Sequence, residues 1–197
     1  MRHTESKAIR TFICIEIPES IRSKAEALQQ KLKGVDAQVS WVKPSNIHLT
    51  LKFLGAVQQS RMKRVCEAAG RAARGTGPIR ITIASAGCFP SSSNPRALWI
   101  GLKEAPDDLR LLHEAIENEM AGCGFARESR KFAAHLTIGR VRSKRNGRPL
   151  AELLVSTGFE PESFEARQII VMRSEPKPTG SVYTPLAVVP LRQEASG

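Results

Sequence analysis

The segment NIHLTLKF, residues 46–53, decides the fold, because its tripeptide His48-Leu49-Thr50 returns as His135-Leu136-Thr137 in HLTIGR, residues 135–140. Both segments have the composition and alternation of β-strands. Side chains at positions i and i+2 of a strand lie on the same face, so each histidine stands beside its threonine. The leucine between them points to the opposite face, toward the core. Each copy therefore presents an imidazole and a hydroxyl on a packed support.

Two such pairs facing one cleft supply an acid, a base and two hydroxyl donors, a set that suits chemistry on a phosphodiester. An imidazole has an ordinary pKa of about 6.5, so one histidine can be neutral while the other is protonated. The neutral one takes a proton from water, and the protonated one gives a proton to the leaving oxygen. The hydroxyls of Thr50 and Thr137 donate to phosphoryl oxygens that gain charge in the transition state. The alternative is that both histidines are structural.

The residues around the two histidines do not form the pattern of a metal site. Neither histidine belongs to an HxH or HExxH motif, and no aspartate cluster stands beside them. A phosphate-binding P-loop motif is absent as well. We therefore expect no metal and no other cofactor.

Charge is the unusual feature of an otherwise ordinary composition. Thirty Lys and Arg residues against 19 Asp and Glu residues give a net charge of +11 and a pI near 10.0. This balance is typical of proteins that bind nucleic acid or another phosphate-rich ligand. Aromatic residues make up only 5% of the chain, which argues against an extended stacking platform for single strands. A basic protein without such a partner is the alternative.

The cysteines and the apolar runs indicate where the protein works. The four cysteines are far apart and form no CxxC pair, so buried thiols in a reducing cytoplasm are expected. No apolar run resembles a signal peptide or reaches membrane-spanning length. We expect a cytoplasmic protein that does not contact a membrane.

Apolar periodicity and turn residues divide the chain into predicted strands and helices. This order has no regular βαβ alternation and indicates an α+β fold with antiparallel sheets. Each half carries a helix near a His-x-Thr strand, so we expect a single domain over residues 1–197, with two pseudo-two-fold lobes, outer helices and a central cleft. Residues 1–9 are expected to form a loose arm. The predicted strands are 10–17, 38–42, 46–53, 79–89, 97–102, 135–140, 164–173 and 182–191, and the predicted helices are 20–33, 61–74, 107–121 and 149–156.

Four cations that open a strand or flank the second motif are candidates for binding the phosphate, and the alternative for each is an ordinary surface charge: Arg10, Arg96, Lys131 and Arg140. By alternation, Lys52 shares the face of His48. The basic loop 142–148 is expected to contact the phosphate backbone rather than to take part in catalysis. The other two histidines are poor candidates, because His3 lies in the arm and His113 is expected on the solvated face of its helix.

Six segments carry a resemblance to a known family: RTFICIEIP (10–18), WVKPSNIHLTLKFLG (41–55), GCFP (87–90), PRALWIG (95–101), HLTIGR (135–140) and GSVYTPL (180–186). On these segments the chain resembles the RNA 2′,3′-cyclic phosphodiesterases, also called 2′-5′ RNA ligases, of the 2H phosphoesterase superfamily. The resemblance spans nearly the whole chain in the family's order.

The resemblance implies a monomer with a bilobal α+β fold and both motifs in a basic cleft. It implies metal-independent hydrolysis of 2′,3′-cyclic phosphates at RNA ends to 2′-phosphates, and some relatives join tRNA halves weakly through a 2′-5′ linkage. The family's catalytic pair falls on His48 and His135, and its phosphate-binding hydroxyls fall on Thr50 and Thr137. Ala134 stands where relatives usually have a proline, a departure that loosens the strand entry but removes no reacting group.

Two other functions stay open. The same site can serve small cyclic nucleotides or 2′-5′ oligoadenylates, and the chain can be a basic RNA-binding protein without catalysis. For the hydrolysis we expect His135 to act as the base toward water and His48 as the acid toward the leaving oxygen. Pseudo-symmetry makes the two roles hard to separate from the sequence.

Overall fold

The computed structural model describes residues 8–178 and 180–192. In these ranges the chain forms ten strands and four α-helices, besides two short 3-10 helices at Pro44–Asn46 and Gln59–Arg61. The strands are β1 (Ala8–Glu16), β2 (Val39–Trp41), β3 (His48–Gln58), β4 (Ile79–Ile83), β5 (Ser85–Phe89), β6 (Ala97–Gly101), β7 (His135–Val141), β8 (Glu162–Ala166), β9 (Gln168–Glu175) and β10 (Val182–Pro190). The helices are α1 (Glu19–Leu32), α2 (Met62–Ala73), α3 (Asp107–Gly122) and α4 (Gly147–Thr157).

The strands form two four-stranded sheets and one two-stranded sheet, and every neighbouring pair is antiparallel. The first sheet has the order β10-β9-β1-β3, and the second has the order β2-β7-β6-β5. The two-stranded sheet pairs β4 with β8. The predicted antiparallel α+β fold is confirmed.

The two sheets share a similar three-stranded core, and one strand of each core comes from the other half of the chain, with β1–β5 as the first half and β6–β10 as the second. In the first sheet, β3 pairs with β1, and β1 pairs with β9 from the second half. In the second sheet, β7 pairs with β6, and β6 pairs with β5 from the first half. The β4–β8 ladder joins the corresponding strands of the two halves to each other. The two halves are therefore interlocked around a pseudo-two-fold axis.

The core lies between the sheets and the helices, and the apolar patterns of the sequence account for it. On β4 the residues Ile79, Ile81 and Ile83 are buried, while the two polar residues between them are exposed. One side of α3 is also buried, including Leu109 and Ile116. None of the helices in the described ranges is long and apolar enough to cross a bilayer.

Two predicted strands, 79–89 and 164–173, are each divided in the structure. The first breaks at Ala84, where the chain leaves the two-stranded sheet and enters the second sheet. The second breaks at Arg167, where the chain passes from the two-stranded sheet to the first sheet. Alternation runs through both breaks, because a change of pairing partner leaves the side-chain period almost intact. The arm predicted over residues 1–9 is wrong at Ala8 and Ile9, which belong to β1; the rest of it, with His3, lies outside the described residues.

Candidate active site

The two His-x-Thr motifs occupy the first residues of β3 and β7. Leu49 and Leu136 are completely buried, whereas the histidines and threonines on either side of them are half-buried. In each strand the imidazole and the hydroxyl therefore share one face, and the leucine fixes the opposite face in the core.

Each histidine is oriented by a main-chain oxygen two residues before it. His48 Nδ1 lies 2.7 Å from the Asn46 carbonyl oxygen, and His135 Nδ1 lies 2.7 Å from the Ala133 carbonyl oxygen. A carbonyl oxygen only accepts, so Nδ1 carries the proton in both rings. Nε2 is consequently the nitrogen that each ring keeps for a reactant, as a base when neutral and as an acid when protonated.

Aromatic side chains hold both imidazoles in place. Phe12 stacks on His48 with ring centroids 4.7 Å apart, and Tyr183 meets the same ring edge-on at 5.3 Å. His135 is met edge-on by Phe89 at 5.0 Å and by Trp99 at 6.4 Å. Each catalytic candidate therefore rests against two aromatic rings that belong to other strands.

A β-bulge follows each motif at the same offset. The pairing of β3 with β1 skips Leu51, and the pairing of β7 with β6 skips Ile138, each three residues after the histidine. The extra residue reverses the alternation beyond it. As a result Phe53 and Arg140, five residues after their histidines, both return to the cleft and line it.

The expectation that Lys52 shares the face of His48 is wrong, and the bulge at Leu51 is the reason. Lys52 is turned to the buried face and is only 6% exposed. Its Nζ donates to both carboxylate oxygens of Glu117 on α3 at 2.8 Å. It also donates to the carbonyl oxygen of Ala126 at 2.9 Å. Lys52 is thus a structural cation that ties β3 to α3 and to the loop before β7.

His113 belongs to the same buried cluster, so the prediction of a solvated position is also wrong. Its side chain is 15% exposed and its Nε2 lies 3.9 Å from a Glu117 oxygen. Its ring stacks on Phe132, with centroids 4.0 Å apart. Burial lowers the pKa of His113, and the nearby charge of Lys52 lowers it further against the attraction of Glu117.

A cleft of about 480 Å³ joins the two motifs. The residues that line it include His48, Thr50 and Thr137. His135 is not part of that lining, but it shares the face of β7 with Thr137. Two of the four candidate cations, Arg10 on β1 and Arg140 on β7, are exposed and line the cleft. The cleft therefore brings hydroxyls and guanidinium groups from both sheets around His48.

The other two candidate cations do not line this cleft. Arg96 is exposed in the connection between β5 and β6, where its main-chain N–H donates to the Phe89 carbonyl oxygen at 2.7 Å. Lys131 is exposed in the loop between α3 and β7. In the basic loop 142–148, Arg145 forms an ion pair with Asp36 at 2.5 Å.

Burial shifts the pKa of two side chains near the cleft, His48 and Cys14. It lowers the pKa of His48, although the hydrogen bond to Asn46 opposes the change. Burial also raises the pKa of Cys14, the cross-strand partner of Thr50, to about 12. The Cys14 thiol therefore stays protonated and is no nucleophile near neutral pH.

Several residues of the site were not predicted from the sequence. Asn46 is one, since its carbonyl oxygen meets His48 while its side-chain Nδ2 donates to the Ser181 carbonyl oxygen at 2.7 Å. The rings of Phe12 and Tyr183, and the bulge that brings Phe53 to the cleft, are others. Among the residues in the described ranges, no group of three His, Cys, Asp or Glu side chains is arranged to hold a metal ion.

Comparison with known proteins identifies relatives of both the sequence and the fold. A protein named RNA 2′,3′-cyclic phosphodiesterase from Methanothermobacter thermautotrophicus is 35% identical over 181 residues, which is 91% of this chain and 97% of that protein. The crystal structure of a protein from Thermus thermophilus superposes with a TM-score of 0.76 at 26% identity, covering 95% of this chain and all of that one. Escherichia coli LigT, crystallised with 3′-AMP, superposes with a TM-score of 0.73 at 25% identity, covering 94% and 99% of the two chains.

The family match repeats the internal symmetry of the structure. The sequence model of the LigT like phosphoesterase family matches this chain twice, over residues 15–99 and again over residues 100–183. Each match contains one His-x-Thr motif, with its bulge and its anchoring carbonyl. Together the two matches cover most of the chain, which thus belongs to the LigT like phosphoesterase family and is a phosphoesterase of the 2H type.

Proposed function

We propose that this protein hydrolyses the 2′,3′-cyclic phosphate at the end of an RNA to a 2′-phosphate. The observation that carries the proposal is the pair of His-x-Thr motifs on two similar sheets. In each motif the histidine Nδ1 is hydrogen-bonded to a main-chain carbonyl oxygen, and Nε2 is left for a reactant. The names of the relatives and the charge of +11 support an RNA substrate.

In the proposed reaction His135 Nε2 takes a proton from water, and the water oxygen attacks phosphorus. The bond from phosphorus to the 3′ oxygen breaks, and protonated His48 gives its proton to that oxygen. One histidine gains a proton and the other loses one, so solvent exchange restores the pair. Acid, base and charge stabilisation are all assigned to side chains, and we propose that no metal ion takes part.

The hydroxyls and cations of the cleft have a separate role in the proposal. Thr50 and Thr137 donate to the two non-bridging oxygens, whose charge grows in the pentacoordinate transition state. Arg10 and Arg140 lie in the same cleft and attract the anionic substrate, and Arg140 is the better placed to contact phosphate because it follows Thr137 on the same face. Arg96 and Lys131 are assigned to the RNA further from the reacting phosphorus.

The same geometry supports weak 2′-5′ ligation as a second outcome of the step. A 5′-hydroxyl in the position of the water attacks the same phosphorus and displaces the same 3′ oxygen. The product is a 2′-5′ linkage, as expected if tRNA halves are among the substrates. Water outcompetes the hydroxyl in an open cleft, so hydrolysis is the main reaction.

The test is incubation of a short oligoribonucleotide with a 2′,3′-cyclic phosphate end in buffer containing EDTA. We expect a 2′-phosphate product from the wild type, and a loss of at least ~100-fold in turnover for His48→Ala and for His135→Ala. A 3′-phosphate product, a requirement for metal, or near-normal turnover in a folded histidine variant would contradict the proposal. RNA binding without any product would favour a binding protein, and equal kcat/KM for a mononucleotide would favour small cyclic phosphates.

A cyclic phosphate with sulfur in place of the 3′ oxygen separates the two histidine roles. A thiolate leaves without protonation, so this substrate needs no general acid. We expect it to restore most of the activity of His48→Ala but none of the activity of His135→Ala. Rescue of the His135 variant instead would exchange the two roles.

A further inference from the structure

A second cavity adjoins the cleft at His48, which lines both. Its volume is about 350 Å³, and it shares with the cleft a wall made of Asn46, His48, Ser181 and Tyr183. The two cavities therefore meet beside the imidazole.

Two cations and one carboxylate line this second cavity. Arg22 comes from the first turn of α1, and Lys43 precedes the short helix that leads into β3. Lys43 is exposed and lies close to Gly180. A Cβ atom placed on Gly180 would be 3.6 Å from Cε of Lys43. Glu16 supplies the negative charge, so the cavity keeps a positive balance.

The guanidinium of Arg22 is incompletely paired. Its Nε is buried and has no hydrogen-bond partner among the residues that the structure describes. Its nearest carboxylate, on Glu19, is 3.7 Å from Nη1 and belongs to a side chain that is 79% exposed. A buried donor without a partner is costly, and a planar guanidinium binds two oxygens of a phosphate at once.

We propose that this cavity binds the phosphodiester that joins the terminal nucleotide to the rest of the RNA. Arg22 donates to its non-bridging oxygens and Lys43 adds a point charge. The inference rests on the proposed function, because it requires the cyclic phosphate to lie between the two motifs. It makes Arg22 and Lys43 the residues that distinguish an RNA end from a free cyclic mononucleotide.

The test compares three substrates with the same cyclic end. They are uridine 2′,3′-cyclic phosphate, the dinucleotide UpU ending in that group, and the same dinucleotide with an uncharged methylphosphonate linkage. For the wild type we expect kcat/KM to be about 10-fold higher on UpU than on the other two. Arg22→Gln and Lys43→Gln should lose that preference, falling about 10-fold on UpU and by much less on the mononucleotide.

Arg80→Gln is the matched control, because Arg80 is an exposed arginine on β4 that lines neither cavity. It should keep the substrate preference of the wild type. Equal losses on UpU and the mononucleotide for Arg22→Gln, or no effect of the methylphosphonate in the wild type, would overturn the proposal.

Failure of the proposed function has a different signature, which is the absence of hydrolysis of all three substrates by the wild type. In that case the Kd values of UpU with a terminal 3′-phosphate and of its methylphosphonate analogue test the cavity directly. Tighter binding of the charged linkage, lost in Arg22→Gln, would support the subsite, and equal binding would overturn it.

Discussion

Asn46 and Ala133 orient the two histidines with main-chain oxygens, so the sequence carries no sign of that role. The histidines and threonines themselves were accessible from the sequence, because an identical tripeptide in two strand-like segments is a specific pattern. Lys131 precedes the second motif and Arg96 opens a strand, but the structure places both outside the cleft. A position beside a motif or at the start of a strand does not decide where a long side chain ends in space.

The threonines give a prediction at the scale of a single hydroxyl. Thr50→Ala and Thr137→Ala should each lower kcat by about 10- to 100-fold, because each loses one donor to the charge that develops on the phosphoryl oxygens. Thr→Ser at either position should retain most of the activity, since the hydroxyl remains. Thr82→Ala is the control, because Thr82 is exposed on β4 and bonds to Ser163 instead. Equal kcat for the alanine and serine variants would contradict this role.

The lowered pKa values of His48 and His113 predict how stability depends on pH. Both side chains titrate near pH 6.5 in the unfolded chain and at lower pH in the folded protein. Their contribution is complete above about pH 6.5 and is lost as the pH falls through the folded values, because the unfolded chain then binds more protons. Urea unfolding at pH 8, 6.5 and 5 should show this decline, and His113→Gln should make it shallower. An unfolding free energy that rises between pH 6.5 and 5 would contradict the prediction.

At the scale of the element, the strands could be predicted but the bulges inside them could not. Alternation holds from His48 to Thr50 and fails at Lys52, because Leu51 is an extra residue without a cross-strand partner. Nothing in LTLKF distinguishes a bulged strand from a regular one. The same bulge at Ile138 is what carries Arg140 to the cleft face beside Thr137.

The buried pair of Lys52 and Glu117 gives a prediction for β3 and α3 together. Lys52→Met should destabilise the protein by about 3–5 kcal/mol, because it leaves a buried carboxylate without its cation. Adding Glu117→Gln should recover much of the loss, since the amide oxygen can still accept from the Glu128 N–H, which now bonds to Glu117 at 3.1 Å. Urea unfolding of the two single variants and the double variant measures this coupling. Additive losses would show that the two side chains do not act as a pair.

At the scale of the molecule, the fold class followed from the order of the elements, but the exchange of strands did not. The breaks at Ala84 and Arg167 send β5 and β9 into the sheet of the opposite half. A pairing partner at the far end of the chain, as β1 is for β9, leaves no local trace in a sequence. The pseudo-two-fold was expected from the repeated motif, whereas the interlocking of the halves appears only in the structure.

The interlocking predicts that neither half folds alone. A chain divided between Ser92 and Ser93, in the connection from β5 to β6, should give two pieces that show no cooperative unfolding when separate. In the first piece β1 lacks β9, and in the second β6 lacks β5. Mixing the pieces should restore the circular dichroism of the intact chain. A cooperative transition in either separate piece would contradict the prediction.

Exchanged strands around a pseudo-two-fold axis are the topology of a domain-swapped homodimer fused into one polypeptide. Two copies of a single half, each lending one strand to the other, would build the same three-stranded core in both sheets, with one motif apiece. Fusion removes the dependence of such an assembly on protein concentration. It also lets the two halves differ, so that Phe53 and Arg140, at equivalent positions of the two halves, hold a ring on one side of the cleft and a charge on the other.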